Sequence, residues 1–89
     1  MTKYFKPGKY KHYKGKNYIA VGLASHSEDL QTMVVYAPLY KDSGLWVRPQ
    51  DMFLEEVEID GVTQARFEYI GEASPEEIEH IKPYFNGLL

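Results

Sequence analysis

Residues 18–25, with the sequence YIAVGLAS, alternate large apolar side chains with small ones. Successive side chains of a β-strand point to opposite faces, so this period of two predicts a strand. Its aliphatic face, which we expect to meet the hydrophobic core, would carry Ile19, Val21 and Leu23. Its small-residue face would carry Ala20, Gly22 and Ala24. A half-buried strand with one strongly apolar face needs neighbouring strands to complete a sheet.

Further short strands are predicted on both sides of this one, over residues 9–13, 32–37, 45–48, 53–59 and 62–70. Turns rich in Gly, Asn and Asp separate them, and Asp60-Gly61 is a strong two-residue hairpin signal. Residues 50–53 fit a single turn of 3₁₀ helix. Short strands with one apolar face can bury that face by curling round, which also removes exposed edges. The sequence therefore predicts a mainly β fold, a small SH3-like barrel or roll.

A change of period near the end predicts a short C-terminal α-helix over about residues 75–86. Ser74 is placed as the N-cap, Pro75 as the first helical residue and Glu77 as the third. Pro83 should end or kink the helix because it lacks a backbone N–H. We expect barrel residues of about 8–70 and this helix to form one domain that spans residues 1–89.

Composition limits the classes of protein. The chain has 89 residues and no cysteine, so it holds no disulfide scaffold and no thiolate zinc site. Small domains without disulfide bonds are typical of a reducing compartment, which predicts a cytoplasmic location. No apolar run has the length of a membrane span, and no apolar stretch follows the N-terminal lysines as in a signal peptide. We expect no membrane association and no cofactor.

Basic charge is concentrated at the N-terminus. Six of the ten basic residues lie within the first sixteen positions, and no acidic residue precedes Glu28. Lysines interleaved with Tyr and Phe are the pattern that binds single-stranded nucleic acid, by phosphate neutralisation and base stacking. The acidic remainder of the chain would repel a phosphate backbone. The alternative is a solvated lysine face that protects an edge strand from aggregation.

A candidate binding face follows from the strand pattern. If Leu45 and Val47 face the core, Trp46 and Arg48 point to the opposite side. Tyr36 would join them in one of the two registers that its strand allows. Aromatic walls with a cationic end could stack a flat ring and pair an anion with the guanidinium. The alternative is that the C-terminal helix covers this face, so that Trp46 is a packing residue in a minor core.

The histidines are the candidate acid–base groups. His26 is predicted either as a general base oriented by Glu28 or as part of a polar turn in which Ser27 caps backbone amides. His12, which shares a strand face with Tyr10 and Lys14, is expected to be a structural hydrogen-bonding group. His12, His26 and His80 are far apart in the sequence, and no metal site is predicted.

Several motifs follow one another in a characteristic order. They are residues 10–15 (YKHYKG), 24–28 (ASHSE), 34–36 (VVY), 39–40 (LY), 46–49 (WVRP) and 52–53 (MF). Together they resemble the bacterial family called domain of unknown function 1653, over roughly residues 8–70. The resemblance implies an SH3-type roll in a cytosolic bacterial protein, and it implies no established activity.

The sequence thus predicts a non-catalytic ligand-binding or adaptor module. Its ligand-binding residues would be Trp46, Arg48, Tyr36, His26, Glu28 and His12. The ligand would be a nucleotide, a nucleic-acid strand or a peptide. One alternative is a small enzyme that uses His26 as a general base near Arg48. Another is a structural or oligomerising protein, and both a monomer and a homodimer remain open.

Overall fold

The computed structural model describes residues 5–85, so Lys3 of the lysine-rich start and Asn86 of the predicted helix lie outside the described residues. A five-stranded antiparallel sheet has the strand order β4-β3-β2-β1-β7, and β5 and β6 form a separate two-stranded sheet. The strands are β1 Gly8–His12, β2 Asn17–Ser25, β3 Thr32–Pro38, β4 Trp46–Pro49, β5 Glu56–Ile59, β6 Val62–Ala65 and β7 Phe67–Gly71. The helices are α1 Gln50–Phe53 and α2 Pro75–Ile81, and a 3₁₀ turn over Lys82–Phe85 follows α2.

The mainly β class with a short C-terminal helix is confirmed. Among residues 5–85 both sheets are open, and their strands do not close into a barrel. The predicted return strand over 62–70 is two strands instead, because the chain changes partner at Arg66 and passes from β5 to β1. At this point Arg66 Nη2 forms an ion pair with Glu55 Oε1 at 2.5 Å.

Local sequence signals are reproduced closely. Asp60 and Gly61 both have positive φ, at 52° and 79°, as the predicted hairpin turn requires. At the start of α2, the backbone N–H of Glu77 donates to Ser74 Oγ at 3.1 Å, and the Ser74 N–H donates to Glu77 Oε1 at 2.8 Å. This is the expected capping box. The helices described within residues 5–85 are too short or too polar to span a lipid bilayer.

The main sheet has an apolar cluster on each face. On one face α2 covers a small cluster, in which the buried residues are Ile19, Ala37 and Ile81. On the other face lies a larger aromatic core, made of Tyr10, Tyr18, Ala20, Val34, Tyr36, Phe53 and Phe67. The prediction that the Ile19 face meets the main core is therefore wrong. The rings of Tyr and Phe bury more apolar area than aliphatic side chains, so they define the larger cluster.

A β-bulge changes the faces along β2. Ala20 lies opposite Tyr36, but Gly22 lies opposite Val35, so Val21 is an extra residue. After the bulge, Leu23 is opposite Val34 and shares the face of the aromatic core, where it is 50% exposed. The predicted alternation of Ile19, Val21 and Leu23 on one face is wrong beyond the bulge.

The orientation of β4 is also the reverse of the prediction. Trp46 lies opposite Tyr36, and Arg48 lies opposite Val34, so both point to the side of the aromatic core. Val47 is 59% exposed, and Leu45 packs against the smaller cluster under α2. Trp46 and Arg48 therefore do share a face, but it is the face of the main core. The helix α2 packs on the opposite side.

Candidate binding face

Arg48 is a partly buried cation that pairs with no carboxylate among residues 5–85. Its Nε donates a hydrogen bond to the Tyr36 hydroxyl at 3.3 Å, and its Cζ lies 5.8 Å from the centroid of the Phe67 ring. None of the ion pairs among residues 5–85 includes Arg48. Partial burial of a charge without an ion-pair partner costs free energy, because the charge loses part of its hydration. An anion bound there would lower that cost.

Trp46 lies at the rim of the aromatic core. Its ring centroid is 5.9 Å from that of Tyr36 and 6.1 Å from that of Tyr18, and the side chain is partly buried. Trp46 is therefore a packing residue as well as a candidate ligand contact. Tyr36 is only 3% exposed, so its contribution to the face is to orient Arg48 through its hydroxyl.

Two lysines and a tyrosine extend this surface. The Tyr40 ring, in the loop after β3, is 43% exposed. Lys16 Nζ lies 5.2 Å from its centroid, and Lys41 Nζ lies 5.7 Å from it and 5.2 Å from the Trp46 ring. These are cation–π distances. We call the surface formed by Lys16, Tyr40, Lys41, Trp46 and Arg48 the cationic face.

Tyr40 and Lys41 were not predicted as site residues, because both belong to the irregular segment between β3 and β4, where strand alternation gives no signal. The Tyr40 hydroxyl lies 3.1 Å from that of Tyr18. Burial raises the pKa of Tyr18, and the hydrogen bond with Tyr40 raises it further. The phenol of Tyr18 therefore stays neutral and leaves the positive charge of the face intact.

His12 lies beside the face, with its ring centroid 4.9 Å from that of Phe67. Its Nδ1 accepts the backbone N–H of Lys14 at 3.1 Å. Burial lowers the pKa of His12, and the positive charges of Arg66, Lys14 and Arg48 lower it further. Near neutral pH the imidazole is uncharged, and with Nδ1 as acceptor its proton lies on Nε2. His12 therefore adds a neutral N–H donor rather than a charge.

The lowered pKa of His12 makes stability depend on pH. The unfolded chain takes up a proton near the ordinary pKa of 6.5, whereas the folded chain resists it. The contribution is fully present above that value, and it is lost as the pH falls from 6.5 towards the lower folded pKa. We expect urea unfolding at a series of pH values to show this loss in the natural protein and a smaller one in His12→Gln. Equal pH dependence of the two proteins would contradict it.

His26 and Glu28 are not part of this cluster. His26 follows Ser25, whose partner is Thr32, whereas Arg48 lies opposite Val34 further along β3. His26 Nδ1 accepts the backbone N–H of Glu28 at 3.2 Å and lies 3.5 Å from Asp29 Oδ1.

The loop after β2 thus satisfies its own polar groups. The backbone N–H of Leu30 donates to the His26 carbonyl, and that of Gln31 donates to the Asp29 carboxylate. The predicted polar turn is present, although His26 and Asp29 rather than Ser27 provide its caps. Glu28 contacts His26 with its backbone amide. The hydrogen bond therefore does not use the Glu28 carboxylate, which was predicted to orient the imidazole.

The third histidine lies on another part of the fold. His80 is on α2, where its Nε2 is 3.7 Å from Asp42 Oδ1. Within residues 5–85, no three side chains of the metal-binding types come together as a cation site.

The fold and the face define a small, mainly β domain with an aromatic and cationic surface on one side of its sheet. Residues 8–69, from β1 almost to the end of β7, match the model of a protein family of unknown function, DUF1653. The chain therefore belongs to the DUF1653 family, as the motif resemblance implied.

A solved structure supports this assignment. The chain is similar to a protein of the same family from Bordetella bronchiseptica, whose crystal structure matches with a TM-score of 0.72 and 40% sequence identity. The match covers 80% of this chain and 94% of that chain. A comparison with curated proteins finds no match.

Proposed function

We propose that this protein is a non-catalytic binding module that holds an anionic ligand on the cationic face. The observation that carries the proposal is Arg48, a partly buried guanidinium that no carboxylate among residues 5–85 neutralises. Tyr36 engages only its Nε. The remaining donors of the guanidinium form the planar fork that suits a phosphate or a carboxylate.

The surroundings of Arg48 favour a ligand that also carries a flat ring. The Tyr40 and Trp46 side chains supply aromatic surface, and Lys41 supplies a second positive charge beside both rings. The neutral Nε2–H of His12 provides a hydrogen-bond donor that does not repel cationic parts of a ligand. A nucleotide, a nucleic-acid strand and a peptide with an acidic and an aromatic side chain share this chemistry.

The other functions receive less support from the geometry. A general base needs an accessible lone pair, but His26 Nδ1 already accepts a loop amide, and the contacts of Arg48 within residues 5–85 are with Tyr36 and Phe67 rather than with this loop. A structural or oligomerising role is compatible with the packing of Trp46. The SH3-like roll, the cytoplasmic location and the choice between monomer and homodimer stay predictions.

The charge of Arg48 provides the test. We expect amide chemical-shift changes in β4 when nucleoside monophosphates or short acidic aromatic peptides are added to the full chain. Arg48→Gln should weaken the binding of the best ligand about tenfold to a hundredfold, because hydrogen bonds to charged groups contribute about 1.5–3 kcal/mol. Arg48→Lys should retain part of the affinity, since it keeps the charge and loses the planar fork.

Lys82→Gln is the matched control, because it removes one positive charge from the 3₁₀ turn after α2, where Lys82 pairs with Glu79. It should bind as the natural protein does. The proposal fails if folded Arg48→Gln binds every ligand normally. It also fails if Arg48→Gln loses its cooperative unfolding transition, which would make Arg48 a structural residue.

A further inference from the structure

We infer that the ligand of the cationic face is a single strand of nucleic acid, an inference that rests on the binding function proposed above. It starts from how positive charges are distributed among residues 5–85. Three of the nine basic side chains there are paired with carboxylates: Lys9 with Glu77, Arg66 with Glu55 and Lys82 with Glu79. Five others lie 4.8–5.9 Å from aromatic ring centroids and form no ion pair within the described residues: Lys6, Lys14, Lys16, Lys41 and Arg48.

Three of those five belong to one end of the main sheet, and Arg48 lies further along β4, opposite Val34, with its Nε bonded to the Tyr36 hydroxyl. Lys14 and Lys16 lie in the turn between β1 and β2, and Lys41 lies between β3 and β4. Antiparallel pairing brings both connections to the same end, since Tyr18 is opposite Pro38. The Tyr40 ring joins the two connections, because Lys16 and Lys41 both lie against it.

The positive charges and the accessible rings of Tyr40 and Trp46 form a track over the buried aromatic core. Phe67 and Tyr18 lie beneath this track, since they are only 5% and 8% exposed. They connect Arg48 to Tyr40 through centroid distances of 5.5 Å between Phe67 and Tyr18 and 5.6 Å between Tyr18 and Tyr40. Lys16 and Lys41 flank its far end. A mononucleotide would use one or two of these charges. A strand would use them in succession, with phosphates on the cations and unpaired bases on Tyr40 and Trp46.

The net charge of −3 does not prevent this, because the acidic residues are concentrated elsewhere. Glu56, Glu58 and Asp60 belong to the β5–β6 hairpin, and Glu72, Glu76, Glu77 and Glu79 lie on or just before α2, which covers the opposite face. The acidic residue next to the track is Asp42, which accepts a hydrogen bond from Tyr84 at 3.4 Å and lies near His80. The local field on the face is therefore positive in a chain that is acidic overall.

The chemistry favours a single strand over a duplex or an acidic peptide. In a duplex the base faces are stacked on each other, so Tyr40 and Trp46 would have nothing to contact. An acidic peptide provides charge but not a flat ring at each step. Aromatic side chains interleaved with cations match a polyanion that carries a ring beside every charge.

The experiment measures binding of the full chain to a fluorescently labelled single strand of about twelve nucleotides of mixed sequence. The comparison ligands are its duplex, a mononucleotide and polyglutamate. We expect the strand to bind at least about tenfold more tightly than each of them, and to quench the fluorescence of Trp46, the only tryptophan of the chain. With three or four phosphate contacts, the plot of log K against log salt should have a slope of about −2 to −3.

Substitutions locate the track. Lys16→Gln and Lys41→Gln should each reduce the magnitude of the salt slope by about 0.7, whereas Lys82→Gln should leave it unchanged. Tyr40→Leu should weaken strand binding about tenfold while keeping the slope, because it removes a stacking ring and no charge. The unfolding transition of each variant is measured in parallel.

Three outcomes overturn the inference. If the strand and the mononucleotide bind equally well through Arg48, the proposed binding function stands, but the inference that the ligand is a nucleic-acid strand is wrong. Equal binding of duplex or polyglutamate would show that charge alone acts, without base stacking. If the protein binds none of these ligands and none of the acidic aromatic peptides, both the inference and the proposed function are wrong.

Discussion

Replacing Phe53 with alanine is expected to reduce the free energy of unfolding by about 3–5 kcal/mol, the usual cost of truncating a fully buried Phe. Phe53 has no exposed surface, and its ring stacks on Phe67 with a centroid distance of 4.2 Å. Its edge contacts are with Tyr10 at 5.1 Å and Tyr36 at 5.4 Å. The single turn of α1 thus inserts one ring into the middle of the aromatic core.

The expected loss is large compared with the total stability of a small domain, which is about 5–15 kcal/mol. Urea unfolding of the full chain, followed by far-UV circular dichroism, measures it. Met52→Ala is the matched control, because Met52 precedes Phe53 in α1 and is 42% exposed. It should change stability by less than about 1 kcal/mol. A loss below about 1 kcal/mol in Phe53→Ala would contradict the packing described for α1.

This prediction concerns the binding face as well. The Phe67 ring stacks on Phe53, and the Cζ of Arg48 lies 5.8 Å from the centroid of the same ring. Tyr36, which orients Arg48, also contacts Phe53. The core under the face is therefore what holds the positive charge in place. A smaller residue at position 53 should weaken ligand binding in proportion to the fraction of protein that remains folded.

Gly8→Ala is the second substitution with a large expected effect, on the order of 3 kcal/mol. Gly8 has a φ of 146°, a backbone conformation that residues with a Cβ rarely adopt. An added Cβ would lie 2.8 Å from the carbonyl oxygen of Gly71 and 2.8 Å from Cε1 of Tyr69. Both belong to β7, which pairs with β1, so the new methyl group would push these strands apart.

Gly22→Ala is the control for this substitution. Gly22 lies in β2 of the same sheet, and its φ lies outside the unfavourable range. Within the described part of the chain, residues 5–85, no atom lies within 4 Å of its added Cβ. Its stability should change by less than about 1 kcal/mol. The thermal midpoint of each variant, compared with the natural protein, gives the result. Equal midpoints for Gly8→Ala and the natural protein would mean that β1 and β7 approach less closely than described here.

Short-range features of the fold could be predicted from the sequence because the interacting groups are close along the chain. The capping box joins Ser74 to Glu77, three residues apart, and the hairpin turn needs only Asp60 and Gly61. The order of motifs predicted the DUF1653 family, which the family model confirms over residues 8–69. The shared face of Trp46 and Arg48 followed from strand alternation alone.

Long-range features could not be predicted in the same way. Alternation separates the two faces of a strand, but it does not say which face meets the larger cluster when both are apolar. That choice depends on Phe53 and Phe67, which come from distant parts of the chain and pack beside Tyr18 and Tyr36. The bulge at Val21 and the separation of His26 from Arg48 likewise depend on the register between strands.

The sequence by itself therefore determined the strands and turns, the capped helix, the family and the pairing of an indole with a guanidinium on one face. Only the tertiary structure decided that this face is the main core side, that Tyr40 and Lys41 extend it, and that His12 rather than His26 lies beside it. The physical reason is that local hydrogen bonds and side-chain periodicity are encoded within a few residues. Burial and charge pairing depend on which distant segments meet.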